Sequence, residues 1–187
     1  CGSAFLALTP TDARCWGVIG GETITCPTGV DWSAITHVYT TRYAFLALDS
    51  KTPRSGIGWG ASSPPSHTNI PSDFSGVSDV YTNDFCFVAI VRATGTAHCW
   101  GVLDSYGALC PGDFDYSNAV IYATTNAFVA YDPVGMTGRC WGSSTTGGTC
   151  PTGLAFTSTT QIYATSRAFL ALDVPCTVRE VGCYTLT

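Results

Sequence analysis

Basic clusters, long apolar runs and helical periodicity are all missing from this sequence, and each absence narrows what it can be. Lys and Arg number 8 against 13 Asp and Glu, for a net charge of −5, and they are scattered. Without a basic face to neutralise phosphates, a nucleic-acid partner is not expected. Although only 11% of residues are charged, no stretch approaches the roughly 18–20 apolar residues of a membrane-spanning helix, so membrane insertion is not expected. None of Asn69, Asn83, Asn118 and Asn126 has a hydroxyl residue two places on, which removes N-glycosylation but leaves O-glycans on Ser and Thr open. The chain opens at Cys1-Gly2-Ser3 with neither Met nor a basic-then-apolar leader. A mature or excised segment is the expectation, its signal peptide lying outside these residues.

What is there repeats. Four phrases end in Trp-Gly: Arg14-Cys15-Trp16-Gly17, Gly58-Trp59-Gly60, His98-Cys99-Trp100-Gly101 and Arg139-Cys140-Trp141-Gly142. Short apolar runs precede them at Ala4, Ala44, Cys86 and Ala127, and a fifth starts at Ala168, giving spacings of 40, 42, 41 and 41 residues. Val38-Tyr39, Val80-Tyr81, Ile121-Tyr122 and Ile162-Tyr163 come just before four of the runs. Self-similarity at this period marks a repeat architecture in which each unit buries its faces against its neighbours. Three short strands per unit, punctuated by turn residues, make an all-β chain. Its units fall near 1–34, 35–76, 77–117, 118–158 and 159–187. Since neither alternate set of a run such as Ala168-Phe169-Leu170-Ala171-Leu172 is polar, both strand faces must be covered. The expected structural core is therefore Phe5, Trp16, Phe45, Trp59, Phe87, Trp100, Phe128, Trp141 and Phe169.

Ten cysteines point to an oxidising compartment and hence to the cell exterior or surface. Cys15 and Cys26, Cys99 and Cys110, and Cys140 and Cys150 flank equivalent loops, while unit two has Gly58 and Ile70 at both places. Joint loss of two positions is the mark of a local bridge, so three disulfides are expected, each closing about 10–12 residues and worth ~2–3 kcal/mol. Cys86 replaces the Ala of other runs and reads as a buried thiol. Cys176 and Cys183, seven apart in the degenerate last unit, can bridge one another, or Cys1 can pair with either of them or with another chain; the sequence does not choose. His37, His67 and His98 fall at unrelated repeat positions, so neither a metal nor any other cofactor is expected.

Unit one lacks its Val/Ile-Tyr strand, and the last unit carries only a distorted version, Glu180 to Tyr184, of the Cys-Trp-Gly strand. Such offset ends permit two arrangements. A terminal strand can complete a blade of a closed ring, or an open array can borrow its missing strand from a neighbouring chain or module. In unit two the loop Ser62-Ser63-Pro64-Pro65-Ser66 departs from the pattern; its extended Ser-Pro-Pro stretch suits an O-glycan or a partner contact as well as a stiffened loop.

The order Val/Ile-Tyr, Ala-Phe-Leu-Ala-Leu-Asp, turn, Cys-Trp-Gly resembles the regulator-of-chromosome-condensation propeller repeats. With its period of about 41 it is most similar to the three-stranded blades of the bacterial β-lactamase inhibitory propeller. Pro27-Thr28-Gly29-Val30 and Pro151-Thr152-Gly153-Leu154 stand where that family has a Pro…Gly-Val connection. The resemblance implies a β-propeller-like array, either a small ring of about five blades or an open arc, and non-covalent functions exerted by exposed loops.

Catalytic chemistry finds no constellation. Asp49, Asp132 and Asp173 each follow an apolar run at a turn, where Asp is a turn former, and no nucleophile elbow or triad pattern occurs. The expectation is a secreted, non-enzymatic structural protein that assembles through its repeat ends into a filament, appendage or surface layer. Its partners would be copies of itself or neighbouring repeat modules, with glycans as a further class. The alternative is a soluble recognition propeller, a lectin or protein inhibitor, binding through loops 17–25, 60–71, 101–109 and 142–149.

Overall fold

In the computed structural model, residues 3–63 and 69–173 are described. Alternation of β-prone runs with Gly, Pro and Asp turns gives five successive antiparallel sheets, each a meander of neighbouring strands. Unit one holds β1 (Ala4–Leu8), β2 (Ala13–Ile19) and the short β3 (Glu22–Thr23); unit two holds β4 (Ile35–Thr40), β5 (Ala44–Asp49) and β6 (Gly56–Gly60). Unit three follows with β7 (Asp79–Thr82), β8 (Cys86–Val91) and β9 (Thr96–Gly101), and unit four with β10 (Val120–Ala123), β11 (Ala127–Asp132) and β12 (Thr137–Gly142). Unit five has β13 (Thr160–Ala164) and β14 (Phe169–Asp173).

Register explains the repeated phrase. The Phe of each run lies opposite the Trp of the next strand in all four complete pairs: Phe5 and Trp16, Phe45 and Trp59, Phe87 and Trp100, Phe128 and Trp141. The rings stack at 5.6, 5.1, 5.2 and 5.3 Å between centroids. The glycine after each Trp is a steric requirement. At Gly101, with φ +151°, a Cβ would collide with the Phe85 carbonyl and come 2.7 Å from the Cys86 Cα. That close approach lets the next residue reach back: Val102 N–H donates to the Phe85 carbonyl at 3.2 Å, and Val18, Ala61 and Ser143 repeat the bond.

Successive sheets stack face to face. Ala44, Leu46 and Leu48 of β5 pack under Phe87, Ala89 and Trp100 of unit three. Cys86, Val88 and Ile90 of β8 pack in the same way under Phe128, Ala130 and Trp141. Each run thus turns one alternate set to the preceding unit and the other to the following one, so β5 and β11 are buried at every position. A backbone ladder ties four units together along one end. Arg42 N–H donates to the Asp84 carbonyl at 2.8 Å, Asp84 N–H to Thr125 at 3.2 Å and Thr125 N–H to Ser166 at 2.9 Å.

The terminal units correct the expectation that all runs share one environment. Phe5 is 59% and Trp16 50% exposed, against 3% or less for Phe45, Phe87 and Phe128. Phe169 is half-buried, and its neighbour Leu170 is 52% exposed. The physical reason is position: among the described residues nothing precedes unit one and nothing follows unit five, so each terminal sheet has one uncovered face. The two faces do not close on each other. The described units form an open array.

Candidate interaction surfaces at the ends of the array

At the leading end, the outward set of unit one is Phe5 and Ala7 from β1 with Trp16 and Val18 from β2, all exposed. This set is equivalent to Phe45, Ala47 and Trp59, which are buried against Ala4 and Leu6 inside the array. The Cys15–Cys26 disulfide, with 5.1 Å between Cα atoms, ties the strand carrying Trp16 to the following loop. Among the described residues β1 also lacks the partner that β4 provides to β5. A groove of about 370 Å³, lined by Leu6, Leu8, Val38, Thr40 and Phe45, occupies that side.

At the trailing end Ala168, Leu170 and Leu172 stand outward, with Tyr163 paired across from Leu170. They correspond to Ala44, Leu46 and Leu48, which carry the stacked rings of the following unit. Unit five also leaves its own aromatic slot without a Trp among the described residues. In unit four, Trp141 stacks on Phe128, meets Tyr116 edge-on at 6.4 Å and donates from Nε1 to the Gly107 carbonyl at 3.3 Å. In unit five Gly147 lies against Phe169 as Gly107 lies against Phe128. The slot is a cavity of about 450 Å³ with Val129, Phe156 and Ile162 in its wall, and Phe156 instead stacks on Tyr131 at 5.8 Å.

The edge-on aromatics escaped the sequence reading. Trp32, Phe74 and Tyr116 sit in the connectors and meet Trp59, Trp100 and Trp141 at 81°, 80° and 89°. Their spacing of 42 residues was visible, but their changing identity hid the equivalence. Also missed were Thr41, Asn83 and Thr165, three residues before each run. Their side-chain oxygens accept from the N–H of Ala44 at 3.0 Å, Cys86 at 2.7 Å and Ala168 at 3.0 Å, shaping the turn into the strand.

The remaining sequence-derived candidates settle into structural roles or lie elsewhere. Cys99–Cys110 and Cys140–Cys150 are disulfides like Cys15–Cys26. Cys1, Cys176, Cys183, Pro64, Pro65 and Ser66 lie outside the described residues. Ser62 is held by the Glu22 carboxylate, which accepts from its hydroxyl at 2.6 Å and its N–H at 3.0 Å, so the loop of unit two is fastened to that of unit one. In loops 101–109 and 142–149 one side chain turns inward, Tyr106 packing on Phe85 at 4.9 Å and Thr146 being buried, while Leu103 and Leu109 stand exposed. Cys86 is a buried thiol whose pKa burial pushes up to about 12, so it has no thiolate character.

Asp49 accepts from Ser55 N–H at 2.9 Å and Ser55 Oγ at 2.7 Å, and Asp132 from Val134 and Gly135 N–H at 2.8 and 3.0 Å. Burial alone would raise the Asp49 pKa, but these Ser55 bonds and one from Lys51 N–H hold it below the ordinary carboxylate value. A polar bowl of about 670 Å³ opens where the turns of units two to five converge. Of its polar side chains, Thr41 and Asn83 serve their turns and Thr124 donates to the Thr146 carbonyl at 2.9 Å.

Comparisons with solved structures add the fold. The array superposes on the entire ectodomain of the Physcomitrella patens receptor kinase CR4 with a TM-score of 0.57 at 18% identity, covering 88% of this chain and 45% of that one. It also superposes on the CRINKLY WD40 ectodomain of the Arabidopsis thaliana receptor kinase ACR4 with a TM-score of 0.51 at 18% identity, covering 81% of this chain and 50% of that one. No protein-family model matches the sequence, and neither does any curated protein. Three-stranded repeating sheets and propeller neighbours together make this a β-propeller-type fold. The chain spans about half the length of these structural relatives. Among the described residues no helix is long and apolar enough to cross a membrane.

Proposed function

We propose that this chain is a non-enzymatic structural module of an extracellular assembly, associating through the two ends of its repeat array. One observation carries the reading: the stacked Phe5–Trp16 pair stands uncovered, although the same pair is buried at each internal joint. Exposed contiguous apolar surface of this kind marks an interaction site. An extracellular setting is supported by the three disulfides and by the fold shared with receptor ectodomains. Kinship of the repeats with the regulator-of-chromosome-condensation type is part of this reading and rests on the 41-residue period and three-stranded units. Of the carboxylates that follow the apolar runs, Asp49 and Asp132 accept bonds from their own turns and Asp173 from the Thr157 and Thr160 hydroxyls, which supports a role without catalysis. Negative-stain microscopy of material isolated in its native state tests the proposal: filaments or ordered arrays are expected, and isolated monomers alone refute it.

A further inference from the structure

Building on that reading, we infer that the partner is a second copy of this chain, docked head to tail. The leading face of one copy (Phe5, Ala7, Trp16, Val18) stacks on the trailing face (Ala168, Leu170, Leu172, Tyr163) of the next. The internal joints show what covers a stacked Phe–Trp pair. It is always the alternate set of a preceding apolar run: Ala4 and Leu6 for Phe45 and Trp59, then Ala44, Leu46 and Leu48 for Phe87 and Trp100, then Cys86, Val88 and Ile90 for Phe128 and Trp141. Ala168, Leu170 and Leu172 occupy the same repeat places, and Leu170 and Leu172 are 52% and 36% exposed. The two outward faces of the described array therefore complement each other, at the polarity of the joints already present.

Two features of the leading face favour this occupant. Its aromatic pair already holds the stacked geometry of the internal pairs, 5.6 Å against 5.1–5.3 Å, so little ordering remains to be done on docking. And apart from Arg14, which stands directly across from Ala7, the exposed set of β1 and β2 is uncharged, as is the trailing set. Because leading and trailing faces differ, the contact is heterologous and propagates into a closed ring or an open filament. Inside the array each joint is also held by a covalent connector, whereas two copies meet without one, so their junction is reversible and concentration-dependent.

Two variants and their mixture test this. Trp16→Glu disables the leading face and Leu170→Asp the trailing face, and since both side chains are half exposed, the monomer folds, as a far-UV spectrum and melting curve verify. In sedimentation velocity the unmodified chain is expected to form larger species as concentration rises. Each variant alone should be monomeric, its junction weakened at least ~30-fold, as removal of a central aromatic or apolar anchor does. An equimolar mixture should give a dimer and nothing larger, since one good leading face and one good trailing face remain. If Leu170→Asp alone still dimerises, the contact is leading face to leading face, and head-to-tail docking is wrong while assembly through the ends stands. If Trp16→Glu alone still associates, the leading face is not used, with the same consequence. An unmodified chain that stays monomeric at every concentration overturns both. Should either variant misfold, Val18→Lys and Leu172→Lys address the same two faces and carry the same expectations.

Discussion

Trp16 and Trp100 occupy the same repeat position, stack on equivalent phenylalanines and differ in cover, so their replacement by Ala isolates what a neighbouring unit contributes. Trp100 is 3% exposed and Trp16 50%. A Trp side chain offers roughly 200 Å², so the difference in cover is about 95 Å², or ~2.4 kcal/mol at ~25 cal/mol/Å². Loss of the Phe stack is common to both substitutions and cancels. Trp100→Ala also leaves a cavity between Phe87 and the edge-on Phe74, 5.9 Å away, which adds to its cost, whereas solvent fills the space left by Trp16. The monomer is therefore expected to lose about 4–5 kcal/mol with Trp100→Ala and about 1–2 kcal/mol with Trp16→Ala.

The assay is urea unfolding with disulfides intact, followed by far-UV circular dichroism, at a concentration where sedimentation shows monomer. A closed ring, with unit one seated on unit five, predicts equal losses for the two substitutions. Equal losses would refute the open array and, with it, the idea that the leading face is available to a partner. Raising the concentration into the range of assembly should enlarge the Trp16→Ala deficit, because the unmodified protein then gains the cover that the variant lacks.

Gly101→Ala should destabilise by about 2–3 kcal/mol, since φ is +151° and the added Cβ meets the Phe85 carbonyl; Gly112→Ala, where nothing lies within 4 Å, should be near neutral in the same melts. The Cys86 thiol, pushed up to about 12 by burial, should resist iodoacetamide at pH 8 in the native protein and react once it is unfolded, as peptide mass spectrometry will show. Acid should weaken the fold. Hydrogen bonds from Ser33 to Asp31, Ser75 to Asp73 and Ser117 to Asp115, and those that outweigh burial at Asp49, all lower the folded carboxyl pKa. Their contribution is complete above the ordinary carboxylate value of ~4 and is lost as pH falls through the lower folded values. A melting temperature flat from pH 6 to pH 3 would contradict this.

Much of the fold could be read from residues that recur unchanged. The period, the Phe–Trp register and the turn-forming Asp49 and Asp132 follow from local chemistry that every unit repeats. The disulfides could be read because unit two omits both partners, and Gly58 does stand opposite Leu46 just as Cys15 stands opposite Leu6. The connector aromatics were harder: Trp32, Phe74, Tyr116 and Phe156 share a place but not an identity, since any ring edge can meet an indole face. Arg54 and Arg92 were hidden for a similar reason. Their guanidinium groups reach the Val77 carbonyl at 3.4 Å and the Ala119 carbonyl at 3.1 Å, a link between units that no local pattern announces. The end faces were misjudged because Phe5 and Phe45 have nearly the same neighbours in sequence. Only place in the array tells them apart.

That distinction bears on why we propose that an array of this design associates. A unit's apolar run is built to be buried from both sides, and nothing in its local chemistry changes at an end. Capping an array needs a terminal unit with a polar outer face. Unit one instead keeps Phe5, Trp16 and Val18, and unit five keeps Leu170 and Leu172, so neither described end is capped. Edge protection by charge, the usual alternative, amounts to one residue on the two faces, Arg14 across from Ala7. Ends without caps and with so little charge would be a liability in a monomer, and the Cys15–Cys26 bridge adds rigidity to the strand that carries Trp16. A rigid, preformed and uncapped face is what a joint requires. The expectation that follows is directional: a charged cap on unit one, as in Trp16→Glu, should terminate growth at the leading end and leave the trailing end fully competent.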